Sequence, residues 1–124
     1  MTDKEKLYEV MGELLYSVAL ADGVIQKSEL KVLKTITANH KWASNIKWSF
    51  DYEFSKGQNV DSVYRKALSF CQSYGPAPEY VEFLDLMYKV AEASDGIDEN
   101  EAALIDSFSY KLSEQFRNDI DLLK

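Results

Sequence analysis

Histidine, cysteine and proline are nearly missing from this 124-residue chain, which has one His, one Cys and two Pro. A single thiol excludes an intramolecular disulfide and any CxxC pair for metal or redox work, and it suits a reducing compartment. A single imidazole excludes a two-His metal site, and with one thiol beside it no Cys/His zinc set can be built within one chain. The chain also lacks a Gly-rich phosphate loop, a Gly-x-Ser-x-Gly elbow and a His-Glu-x-x-His pair. These absences disfavour an enzyme. Basic residues are short too, 14 against 21 acids, for a net charge of −7 and a pI near 4.7. That balance argues against nucleic acid, whose binding needs clustered Lys and Arg to release counterions. No apolar run approaches the roughly 18 residues of a membrane span. Glu9 and Glu13 interrupt the one N-terminal stretch that ends like a signal-peptidase site, Ala19-Leu20-Ala21. The expectation is an unexported, cytoplasmic protein that would meet a membrane only through a peripheral complex.

What the chain has is helical periodicity. Leu7, Val10, Met11, Leu14, Leu15 and Val18 recur at the spacing of one helical stripe, which predicts a helix from about Asp3 to Ala21. A second runs from about Lys27 to Asn39, with Leu30, Leu33 and Ile36 inward and Lys27, Lys31 and Lys34 outward, a solvated basic face rather than a phosphate site. Residues 42–54 are dense in aromatics. Ile46, Phe50 and Phe54 fit the inner face of a third helix, although the alternation from Trp48 to Phe54 also fits a strand. After the turn cluster Lys56-Gly57-Gln58-Asn59, a fourth helix capped by Asn59 or Asp61 carries Val60, Val63, Tyr64, Ala67, Leu68 and Cys71.

Gly75-Pro76-Ala77-Pro78 is the strongest break, with Pro78 suited to the first turn of a fifth helix that buries Val81, Leu84, Met87, Tyr88 and Ala91. A sixth, after Asp98, buries Ala102, Ile105, Phe108 and Leu112, and Glu114 to Lys124 suggests a short seventh through Phe116, Ile120 and Leu123. At this length the chain is one domain, residues 1–124.

Two stretches organise the rest, Ala21-Asp22-Gly23-Val24-Ile25 through Glu29 and Ala93-Ser94-Asp95-Gly96-Ile97-Asp98 through Glu101. Each reads as a helix stop, a Gly turn and a helix start. Gly23 enters the left-handed conformation without a steric cost. Glu29 stands three residues after the N-cap candidate Gln26, and Glu101 three after Asp98, the pattern of a capping box. Aligned at a 72-residue offset, Tyr16, Val18, Ala19, Ala21, Ile25 and Glu29 meet identical residues at 88, 90, 91, 93, 97 and 101, which predicts a duplicated hairpin. The pattern is not an EF-hand, because Val18 and Leu20 would occupy its first and third ligand positions.

The repeated A-D-G-x-I-x-x-x-E pattern resembles the tellurite-resistance TerB-like family. The first copy matches it fully, whereas the second has Ser94 in place of Ala and is one residue short after its Gly. The resemblance implies an all-α single-domain bundle of about seven helices with two pseudo-repeated hairpins, in a bacterial cytoplasmic protein of a kind sometimes linked to metal stress or membrane-associated complexes.

Two candidate surfaces follow. The first is a protein contact, to a partner or a second copy, through Trp42 and Trp48, because the aromatics exceed what one amphipathic helix needs. The second is a site for a hard divalent cation, Ca2+ or Mg2+, formed by Asp22, Glu29, Asp95, Asp98 and Glu101. Parallel first and fifth helices would bring both Asp-Gly turns to one end of the bundle. Against the cation stands capping alone, which occupies the same carboxylates with backbone N–H groups. His40 reads as a surface residue at a helix C-terminus rather than a base, and Cys71 as a buried inert thiol.

Overall fold

The computed structural model describes residues 3–21, 23–93 and 98–123, with side chains described up to residue 117. Among these residues the chain forms six α-helices and no strand: α1 (Asp3–Leu20), α2 (Lys27–Thr37), α3 (Ala43–Lys56), α4 (Val60–Tyr74), α5 (Glu79–Ala91) and α6 (Glu99–Leu123). None of them is long and apolar enough to cross a membrane.

The first helix is the axis. Every residue from Leu7 to Ala19 is buried, so α1 is enclosed on all sides rather than along one stripe. It packs chiefly on α3, α4 and α5. A helix surrounded in this way must satisfy its polar residues internally. Ser17 donates to the Glu13 carbonyl at 2.9 Å, and the Tyr16 hydroxyl donates to the Gln58 carbonyl at 2.8 Å.

Residues 43–56 are helix, not strand. α3 hides Ile46, Ser49, Phe50 and Glu53, which share one helical face, and it ends at Gly57 in the left-handed conformation with φ of 61°. The surface of α1 selects that face, polar residues included, over the alternating aromatics. Phe54, expected inward, is 53 % exposed. Asn59 caps α4 by accepting from the Ser62 N–H at 3.3 Å, and Val63, Tyr64, Ala67, Leu68 and Cys71 form its buried stripe.

The fifth helix differs in phase from the expected pattern. Met87 and Ala91 are buried as expected, and Tyr80, Phe83, Leu86 and Val90 are buried with them, whereas Val81 and Tyr88 are exposed and Leu84 is half-buried. Two overlapping apolar stripes occur in this segment, and the one bearing Tyr80 and Phe83 wins because it packs against Tyr8 of α1 and Phe108 of α6. Pro78 stands at the N-cap, one residue before the position expected.

The seventh helix is not separate. α6 continues from Glu99 to Leu123, since no Gly or Pro falls within it to stop the run. Phe116 stacks on Tyr80 with ring centroids 6.1 Å apart.

Two pairings set the direction of α5. Lys4 pairs with Glu79, and four residues on, the Tyr8 hydroxyl donates to Glu82 at 3.2 Å. Contacts that advance together along both helices mean that α1 and α5 run parallel. Their C-terminal ends, and the starts of α2 and α6, therefore lie at the same end of the bundle. Ala21 and Asn100 accordingly line one hollow.

Candidate functional site

The acidic turns come first. Asp22 and Asp95 lie outside the described residues. Glu29 accepts from the Gln26 N–H at 2.9 Å, and Glu101 accepts from the Asp98 N–H at 2.9 Å, the same backward reach at the start of α2 and of α6. Asp98 itself accepts from the Asn100 N–H at 2.7 Å. Glu29 and Glu101 are 1 % and 0 % exposed, so these carboxylates are built into the bundle end rather than laid on its surface. Among the described residues, no group of three or more His, Cys, Asp or Glu is placed to hold a metal ion.

The two tryptophans divide their roles. Trp42 is partly buried, stacked on Tyr8 at 5.8 Å with the rings 10° apart, and it packs against the core. Trp48 is 59 % exposed and stacks on Tyr52, one turn along α3, at 5.5 Å. Lys56 stands over the Tyr52 ring, 5.6 Å from its centroid. The result is an outward ridge of two aromatic rings ending in a cation.

A second polar cluster joins three elements and was not visible in the sequence. The carboxylate of Glu82 on α5 receives the Tyr8 hydroxyl from α1 and His40 Nε2 from the loop between α2 and α3. His40 Nδ1 accepts from the Trp42 N–H at 2.9 Å. Both ring nitrogens are thus engaged, and the imidazole must be the neutral Nε2–H tautomer. Burial and then the Glu82 charge push the Tyr8 hydroxyl up to about 12. His40 is therefore a clamp, more enclosed than the surface residue expected. Tyr8 and Glu82 lie 32 and 42 positions from it, beyond any local pattern.

Beneath α1, Glu13 and Glu53 are both buried, and Lys66 reaches between them, 2.8 Å from Glu53 Oε1 and 3.9 Å from Glu13 Oε1. The second oxygen of each acid has no hydrogen-bond partner among the described residues. Burial, aided by Glu53 and Glu9 and opposed by Lys66 and Lys6, raises the Glu13 carboxyl above its usual range. Burial alone would lower Lys66, but the hydrogen bond to Glu53 and the nearby carboxylates hold its ammonium above the ordinary lysine value. The only sequence signal was acids at 9 and 13 inside an apolar stripe.

Cys71 is fully buried, and burial pushes its thiol up to about 12. Its side chain is protonated and unreactive at neutral pH. No protein-family model matches the chain, and neither a curated protein nor a solved structure matches it either.

Proposed function

We propose that the chain is a non-enzymatic helical binding module, of the TerB-like type that its two Asp-Gly turns resemble, and that it acts through protein–protein contact. One observation carries the reading. Trp48 and Tyr52 stack on each other in the open, away from the core that takes in Tyr8, Tyr16, Phe50, Tyr80 and Phe83. Large flat side chains of this kind supply contact area with little rotamer freedom to lose, and they dominate interface centres. A photo-crosslinking residue placed at position 48 in the producing cell should give adducts of discrete mass, and the same group at exposed Ser69 on α4 should not. Equal or absent labelling at the two positions would sink the reading.

A second reading is a divalent-cation module at the acidic turns. It is supported by the parallel course of α1 and α5, which brings the starts of α2 and α6 to one end. It ranks below the first because Glu29 and Glu101 each already hold a backbone N–H.

A further inference from the structure

Between α2 and α3 lies an apolar trough. At one end Leu30, Leu33 and Thr37 of α2 face Phe50 of α3 around a hollow of about 200 Å³. At the other, Leu20, Val24 and Ile25 face Phe54 and Gly57. Phe50 and Phe54 are one turn apart, so the two hollows follow each other along the same side of α3. From Lys47 to Gly57 that side runs about 15 Å at 1.5 Å per residue. The trough exists because α2 packs mainly on α5 and touches α3 little. Leu30, Val24 and Phe54 stay 39 %, 65 % and 53 % exposed as a consequence.

The rim is basic although the protein is acidic. At 100° per residue, Lys34, Lys27 and Lys31 follow Leu30 around α2 on its trough side, and all three are exposed. The one acid of α2, Glu29, is buried at its N-terminus. Across the trough stands Lys47, paired with Asp51. The second hollow is about 290 Å³, and end to end the trough matches about three turns of helix. Trp48 and Tyr52 lie beyond the Lys47–Asp51 pair, on another side of α3.

We propose that this trough receives an amphipathic helix of a partner protein, its apolar stripe on Leu30, Val24 and Phe54 above the buried floor of Leu33 and Phe50, and its acidic flanks against Lys27, Lys31 and Lys34. Apolar anchors at i, i+3 or i+4, and i+7 fit such a groove, and the lysine rim selects carboxylates over ammonium groups. The inference rests on the protein-binding reading, but it does not use Trp48.

The test uses two labelled synthetic helices of about 18 residues, about five turns, with the same Leu/Ile stripe. One carries Glu along its flanks and the other Lys. Fluorescence anisotropy with the full chain should show the acidic peptide binding at least about tenfold tighter, with most of that preference erased in about 1 M salt, where charges are screened beyond about 3 Å. Leu30→Ala with Phe54→Ala, both half-exposed and checked by thermal melt, should weaken binding about tenfold or more. Lys31→Glu with Lys34→Glu should reverse the preference, which misfolding would not do, and Trp48→Ala should leave it unchanged. Equal affinity, no binding of either peptide, or binding indifferent to the trough variants overturns the proposal. So does a concentration-dependent dimer in sedimentation that Leu30→Ala with Phe54→Ala abolishes, since a second copy would then be the occupant. If the peptides fail while position 48 still cross-links, the trough inference falls alone. If both fail, the protein-binding reading falls with it.

Discussion

Gly12 on α1 lies directly against the Ile46 carbonyl of α3, so close that a Cβ at position 12 would come within 2.4 Å of that oxygen and 2.9 Å of Ser49 Cβ. The absence of a side chain here lets the two helices approach, and α1·α3 is the most extensive helix pairing of the bundle. The obstacle is backbone, which cannot swing aside as a flexible side chain would.

Gly12→Ala should therefore destabilise the protein, against the rule for helix interiors, where replacing Gly by Ala gains about 1 kcal/mol. Overpacking costs of about 1–3 kcal/mol are expected instead. A urea titration reads the sign, and a gain in stability would mean that α1 and α3 separate freely at this point.

The clamp at Glu82 makes a spectroscopic prediction. With Nδ1 accepting from the Trp42 N–H and Nε2 facing Glu82, nitrogen NMR above about pH 8, where an ordinary imidazole is neutral, should show His40 as the Nε2–H tautomer. His40→Ala should lower stability by about 1–2 kcal/mol, because α5 loses its tie to the loop before α3. An Nδ1–H signal would rule this arrangement out.

How much of this was legible in the sequence depends on the reach of each interaction. The stripes of α1 and α4 could be read because apolar side chains repeat every three or four positions with no competing pattern. The boxes at Glu29 and Glu101 were legible because a capping pair spans three residues. The parallel course of α1 and α5 followed from counting the helices between the repeats. The phase of α5 was not legible, since Val81-Leu84-Tyr88 and Tyr80-Phe83-Met87 are both apolar and only the neighbours at Tyr8 and Phe108 choose between them. Nor was the outward turn of Phe54 and Leu30, which depends on how little α2 and α3 touch. Of the two tryptophans, only their positions relative to Tyr8 and Tyr52 separate the packed ring from the open one.

Glu13 gives stability a pH dependence of defined sign. Its folded carboxyl is raised above the ordinary value, chiefly by burial, so the native state holds the proton more firmly than the unfolded chain does. Stability should fall as pH rises from the ordinary carboxylate range through the raised folded value, and level off above it, at about 1.4 kcal/mol per unit of displacement. Glu13→Gln should flatten that slope and match or exceed the parent at neutral pH, with Lys66 still held by Glu53. A variant weaker than its parent by more than about 1 kcal/mol at neutral pH would show that the Glu13 charge stabilises the bundle.

The last prediction separates cap from cation at the acidic end. Glu101 is wholly buried with one oxygen on the Asp98 N–H, and Glu29 repeats the arrangement on Gln26, so each carboxylate meets the positive end of its helix where negative charge is favourable without any ion. Truncation should then cost about 1–2 kcal/mol through the lost cap alone, plus what the vacated buried volume adds. Glu101→Ala and Glu29→Ala should lower the melting midpoint by the same amount in chelator and in excess Ca2+ or Mg2+, and Glu101→Gln, which keeps an accepting oxygen, should lower it less. A cation site predicts the opposite pattern. An ion bound only by the native state raises the parent's midpoint with concentration, and the truncations, together with Asp22→Asn and Asp95→Asn, abolish that rise. A parent midpoint that climbs with divalent ion and a Glu101→Ala midpoint that does not would assign these acids to the ion.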